Sequence, residues 1–283
     1  MDYESVARPS KDTKQSSAEL TRNEARYLVY TYYQMQEYRI ATAAQGRKLA
    51  EAGEPNAFIS HFQREFARLE SQIKKALGIF ADSDPVGKWS LGICGIGPVI
   101  AAGLLAHIDI EKAGTAGHIW SFAGLEPNQA WEKGKKRPWN GDLKKLCWHI
   151  GESLVKVSNR EQDAYGDLYR ERKKYEQDRN EAGDYAEQAA RKLAETRIGK
   201  ETEAYKWYSA GKLPPGHIQA RVKRWLVKLF LAHWHHVAYV ARYGKEPPKP
   251  YPIAILQHAD YIGPPGFAPG KAEGPPADGE GLQ

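Results

Sequence analysis

The stretch Ile93-Cys-Gly-Ile-Gly-Pro-Val-Ile100, which continues as Ala-Ala-Gly-Leu-Leu-Ala, restricts this chain more than any other. Gly95 and Gly97 bracket one aliphatic residue, and Pro98 follows at once. Glycine is what a sharp turn needs where φ must be positive. Proline suits the first position of a helix, where its missing N–H is no loss. The spacing therefore predicts a helix, a Gly-Ile-Gly hairpin and a second helix. Such a hairpin leaves amides at a helix N-terminus, a place that favours an anion. On a nucleic-acid-binding protein the natural anion is a backbone phosphate. The same letters also serve as an ordinary inter-helix turn. They are not a dinucleotide fingerprint, because no strand leads in and Ile100 stands where Gly-x-Gly-x-x-Gly would need its third glycine.

Charge and cysteine usage narrow the class. The 283 residues carry 41 Lys plus Arg against 35 Asp plus Glu, a net charge of +6 that admits a nucleic-acid partner without requiring one. Cys94 and Cys147 lie far apart in apolar settings, which argues for a reducing compartment and against a disulfide framework or zinc site. No signal peptide is visible, and no apolar run reaches the roughly 18–20 residues of a transmembrane helix. A soluble, cytoplasmic protein without membrane contact, cofactor or metal is the expectation.

Taken in order, residues 1–18 are polar and aperiodic and read as a disordered arm. Thr21-Arg-Asn-Glu24 is a capping box. The helix after it places Ala25, Leu28, Val29, Tyr32 and Met35 on one face and stops near Gly53-Glu-Pro55. The next helix starts near Asn56, with Phe58, Phe62, Phe66, Leu69, Ile73 and Leu77 close to a coiled-coil seam. Residues 19–84 thus read as a helical hairpin arm, with a homodimer arm or a simple helical core equally open. Asp82-Ser-Asp-Pro85 caps a short helix that leads into the hairpin. A domain over 85–245 follows, interrupted by a charged helical insertion at about 160–212 and closed by a Pro/Gly-rich tail over 246–283, disordered from about Gly263.

Residues 128–141 form a basic loop flanked by Trp131 and Trp139, with Lys133, Lys135, Lys136 and Arg137 inside it. Cations interleaved with aromatics suit a phosphate backbone and exposed bases; a solvated loop anchored by two indoles is the plainer reading. Asp142 opens a periodic helix with Leu143, Leu146, Cys147, Ile150, Leu154 and Val157 on one face and Lys144 and Lys145 beside the loop. From Arg160 to Thr202 charges of both signs read as a solvated helical pair. The last helix, from about His217 to Tyr243, crowds Arg221, Lys223, Arg224 and Lys228 into its first turns. Cations are unfavourable there, so this cluster hints at an anionic partner. His233, His235 and His236 have no carboxylate or Cys at ligand spacing and read as core or surface histidines.

Several of these motifs occur together in one family. The hairpin stretch, then Phe122-Ala-Gly-Leu-Glu-Pro127, then a Gly- and Lys-rich loop, then Asn140-Gly-Asp-Leu-Lys-Lys-Leu146 resembles the C-terminal domain of insertion-sequence transposases related to the Piv DNA invertase, the bridge-RNA-guided recombinases. The resemblance covers about residues 86–160, and the Ala220-Arg-Val-Lys helix is similar to that family's last helix. It implies DNA binding and a place in DNA transposition or recombination. The family pairs a RuvC-like nuclease domain, with acidic metal ligands, to this domain, which supplies a nucleophilic serine just after the Gly-Leu-x-Pro turn. This sequence departs twice. The first 90 residues show no strand with an Asp to start a RuvC-like sheet. The serine's place falls at Trp131 and Glu132, and no serine occurs between Ser121 and Ser153.

The resulting expectation is an all-α protein with a helical hairpin arm and a helix–hairpin–helix domain. The amides of Gly95, Ile96 and Gly97 grip a phosphate, and Lys133, Lys135, Lys136, Arg137, Lys144 and Lys145 extend the contact. The partner is DNA, duplex or branched, and no catalytic residue is assigned. An active transposase with an unrecognised nucleophile, and an RNA-binding or structural protein on the same scaffold, are the alternatives.

Overall fold

The computed structural model describes residues 5–126, 131–161, 163–248 and 262–267. Among them the fold is all-α, with eleven helices and no strand. The chain divides into two compact units, Met1–Ile119 with Trp234–Gln283, and Trp120–His233.

The first unit is built on two long helices. α1 (Lys11–Gln15) and a 3-10 turn (Ser16–Glu19) precede α2 (Arg22–Glu51), which opens on the expected Thr21/Glu24 capping box. α3 (Ala57–Asp82) starts at Asn56, whose side chain accepts from the Phe58 and Ile59 amides. A short link makes the two an antiparallel pair, and Glu70 on α3 accepts from Arg39 and Gln36 on α2. Leu77 is fully buried, but Phe58 and Phe62 at the other end of the same stripe are exposed.

α4 (Pro85–Leu91) and α5 (Pro98–His107) flank the glycine turn. α5 carries Val99, Ile100, Ala101, Ala102, Gly103 and Leu104 in unbroken succession, all buried. A helix apolar on every side has to be covered on every side, and α2, α3 and α4 cover it. Residues 19–84 are therefore the wall of this unit, and the boundary expected at 84/85 is absent. α5 has no polar side chain near its end except His107. Instead Arg22 Nε donates to the Leu105 carbonyl at 3.1 Å and Arg26 Nε to the Ala106 carbonyl at 2.8 Å, with a further Arg22 contact to the Ile108 carbonyl. Two cations from α2 thus satisfy the orphan carbonyls and oppose the negative end of the helix dipole.

The two chain ends also differ from expectation. Residues 5–19 are not a disordered arm. Glu65 is buried and needs donors; it receives the Val6 N–H at 2.7 Å and Arg68 at 2.6 Å. Gln72 donates to the Ala7 carbonyl at 3.1 Å. At the other end, residues 262–267 fold back onto this unit: Trp89 Nε1 donates to the Pro265 carbonyl at 2.9 Å, and Phe267 lies 5.7 Å from the His236 ring. The rest of the Pro/Gly-rich tail lies mostly outside the described residues.

The second unit holds α6 from Trp120 onward (the helix spans Ala116–Phe122), α7 (Gly141–Val157), α8 (Ala164–Glu181), α9 (Ala186–Glu195), α10 (Glu203–Ser209) and the first part of α11 (Pro215–Tyr243). α7 buries Leu143, Leu146, Cys147, Ile150 and Leu154, the stripe read from the sequence. Residues 160–212 are helical with most charges exposed, but they also have a buried face that the charge pattern does not show. α8 buries Tyr165, Tyr169, Glu176 and Asn180. The Tyr165 hydroxyl lies 2.7 Å from His233 Nδ1, and Asn180 exchanges two hydrogen bonds with Leu213, at 2.8 and 3.0 Å. Glu176, 1% exposed, receives Arg172, Arg221 and the Tyr185 hydroxyl. Most charges of this stretch face outward, but Asp163, Glu176 and Asn180 are polar residues of its interior. No helix among the described residues is long and apolar enough to cross a membrane.

Candidate nucleic-acid interface

The glycine turn belongs to the first unit. Gly95 takes φ +88°, the conformation that requires glycine. Ile96 turns its side chain inward, 4% exposed, and its N–H donates to the Ile93 carbonyl at 3.0 Å. That amide is closed off within the turn, so Ile96 is not a phosphate donor here, contrary to expectation. Gly97 is the N-cap of α5, in an extended conformation, with Pro98 at the first helical position. It offers no side chain to the first amides of the helix, and a Cβ placed on it would meet nothing within 4 Å. The open approach to α5 is thus at Gly97 rather than at Ile96.

The basic loop belongs to the second unit. Its stem closes where the Asn140 N–H donates to the Phe122 carbonyl at 2.9 Å. Asn140, not Asp142, is the cap of α7, its Oδ1 accepting from the Leu143 amide at 2.8 Å. Gly124 is demanded twice: φ is +64°, and a Cβ there would stand 2.7 Å from the Trp139 ring. Trp139 is therefore seated on the 122–125 turn, and Lys144 Nζ rests 3.9 Å over its face. Residues 127–130 lie outside the described residues.

The other indole organises the loop's tip. Trp131 Nε1 donates to the Lys135 carbonyl at 2.7 Å, and the Arg137 guanidinium lies 5.2 Å from the ring centre. Lys135 pairs with Glu132 at 2.7 Å. Lys133 and Lys136 are exposed and have no ion-pair partner among the described residues. Of the four loop cations, one is neutralised, one lies against an aromatic face, and two stand open.

The start of α7 continues the surface. Burial and then the charges of Arg137 and Arg224 hold the Lys144 ammonium below its ordinary value, a sign that positive charge accumulates around it. Burial and the Lys145 charge likewise hold His149 below its ordinary value. Trp148, one turn beyond Lys144, is 59% exposed. Trp148 falls off the Leu143–Leu154 stripe, a spacing that by itself turns the indole outward. Lys133, Lys135, Lys136, Arg137, Lys144 and Lys145 thus share one unit with Trp131, Trp139 and Trp148. Gly95, Ile96 and Gly97 belong to the other.

No family model, no curated protein and no solved structure matches the chain.

The chemistry of the loop and of α7 is that of charge and stacking. Unpaired cations attract phosphates, and each contact with a nucleic-acid backbone displaces counterions. Exposed indoles offer faces to unstacked bases.

Proposed function

We propose that this chain binds DNA through its phosphate backbone, as a protein related to insertion-sequence transposases and taking part in transposition or recombination. The observation that carries the binding is the loop in which Lys133 and Lys136 stand open while Trp131 and Trp139 hold Arg137 and Lys144 in place. The order of motifs from the glycine turn to Asn140 supports the family. Trp131 and Glu132 in place of the serine speak for a DNA-binding rather than a strand-cleaving role of these residues.

Fluorescence anisotropy with duplex, four-way junction and structured RNA, each across a salt series, tests the reading. The expected result is tighter binding to one of the DNA forms, with steep loss on adding salt. Replacing both Lys133 and Lys136 by Ala should reduce the slope of log affinity against log salt by about 2, since about one counterion is released per phosphate contact. Salt-insensitive binding, or an unchanged slope in the double variant, contradicts the proposal. Preference for RNA would favour the second reading, to which the exposed faces of Trp131 and Trp148 are well suited.

A further inference from the structure

Four cations crowd the first turns of α11, and three have internal partners. Arg221 Nε donates to Glu176 Oε2 at 2.8 Å and its Nη1 to Gln188 Oε1 at 3.0 Å, while its guanidinium lies 4.4 Å over the Tyr185 ring. Lys223 pairs with Glu152. Lys228 Nζ rests 4.3 Å over the Trp120 ring. Arg224 is exposed and has neither an ion pair nor a hydrogen bond among the described residues. It lines a cleft of about 690 Å³ inside the second unit, walled by the 124–126 turn, by Lys144 on α7 and by Gln188 and Arg191 on α9.

The acids of this cleft do not answer Arg224. Asp184 is held by Arg179 at 2.7 Å. The Glu126 charge acts on Lys228. Glu187 is exposed on α9 and has no ion-pair partner among the described residues. Arg191 makes only a loose contact with Glu195, at 3.9 Å. Lys144, Lys228 and the His217 ring are all held below their ordinary values, first by burial, and in each case the Arg224 charge adds to the effect. Arg224 is the charge these three sites have in common, and it faces open space.

We propose that the cleft is a phosphate-binding subsite in which the Arg224 guanidinium receives a phosphoryl group between Lys144 and Arg191. A guanidinium fork matches two phosphate oxygens at once, and flanking cations favour a multiply charged anion over a carboxylate. The volume suits a nucleotide-sized ligand. The phosphoryl group belongs either to a nucleic-acid strand or to a free nucleotide. The subsite does not depend on the loop's binding DNA.

Calorimetric titration of the full chain with pyrophosphate, beside anisotropy with a single-stranded oligonucleotide, tests this. Pyrophosphate should bind, and Arg224→Ala should weaken it by about tenfold or more, the loss of a charge-assisted bidentate contact. Arg224→Lys should recover part of the affinity, and Lys133→Ala with Lys136→Ala should leave it unchanged. Arg224 is exposed and unpaired, so the melting temperature should not move. Competition of pyrophosphate with the oligonucleotide, lost in Arg224→Ala, assigns the phosphate to a strand. Pyrophosphate binding through Arg224 with no oligonucleotide binding assigns it to a free nucleotide, and the DNA reading is then decided by the duplex and junction titrations alone. Absence of pyrophosphate binding, or equal affinity in Arg224→Ala and Arg224→Lys to that of the parent, overturns the subsite.

Discussion

Gly97 sits at φ −93° and ψ 176°, a conformation open to any residue, with empty space where a Cβ would stand. Gly97→Val therefore leaves the fold in place and changes only what approaches α5 from outside. The expected outcome is an unchanged melting temperature and weaker DNA binding; a folded variant that binds like the parent removes the turn from the interface. Glu176 is the opposite kind of residue, significant for the interior alone. Burial pushes its carboxyl up, but the hydrogen bonds from Tyr185, Arg221 and Arg172 outweigh burial and hold it below the ordinary value of 4.5. A carboxyl lowered by folding stabilises above its unfolded value and loses that stabilisation as pH falls through its folded value. Glu176→Gln should cost about 1–3 kcal/mol at neutral pH. The gap between variant and parent should narrow as pH falls below the ordinary value of 4.5 and close only once pH has passed below the lowered folded value, where the parent is protonated too. Thermal melts at neutral and acid pH check both parts; a gap independent of pH would mean that charge is not the cause.

At the scale of elements, α5 ends on carbonyls supplied with donors by another helix. Replacing Arg22 and Arg26 by Ala should destabilise the first unit by about 1–2 kcal/mol, since two charged donors at a helix C-terminus are lost. Urea unfolding would show it; no change in midpoint would mean water serves those carbonyls equally well. How much of this was legible depends on where the information lay. The caps at Thr21, Asn56 and Asp84 and the stripe of α7 are local patterns, and they fell where the sequence placed them. The buried face of α8 is not legible in its charge pattern, because the burial of Tyr165, Tyr169, Glu176 and Asn180 depends on partners about 30–70 residues away, such as Leu213, Arg221 and His233. The site divides likewise. The loop cations were legible from composition, whereas the capture of the Ile96 amide by Ile93, and the partnering of Arg221 but not Arg224, follow from geometry that no spacing rule carries.

At the scale of the whole molecule, the first unit draws on both ends of the chain. Residues 5–19 lie along α3, and Trp234–Tyr243 of α11 brings His235 Nε2 to within 2.7 Å of the Ala113 carbonyl. Removing the first 20 residues should lower the melting temperature, because buried Glu65 loses the Val6 donor; a dispensable arm would leave it unmoved.

The seating of cations on indoles has a last consequence, an optical one. Indole emission responds to charge beside the ring, and Arg137 and Lys144 stand over Trp131 and Trp139 at 5.2 and 3.9 Å. An anion that draws those cations aside alters the field at both rings. The loop therefore carries its own fluorophores, and occupancy of the basic surface can be followed by the colour and intensity of the protein's native emission, with no dye attached.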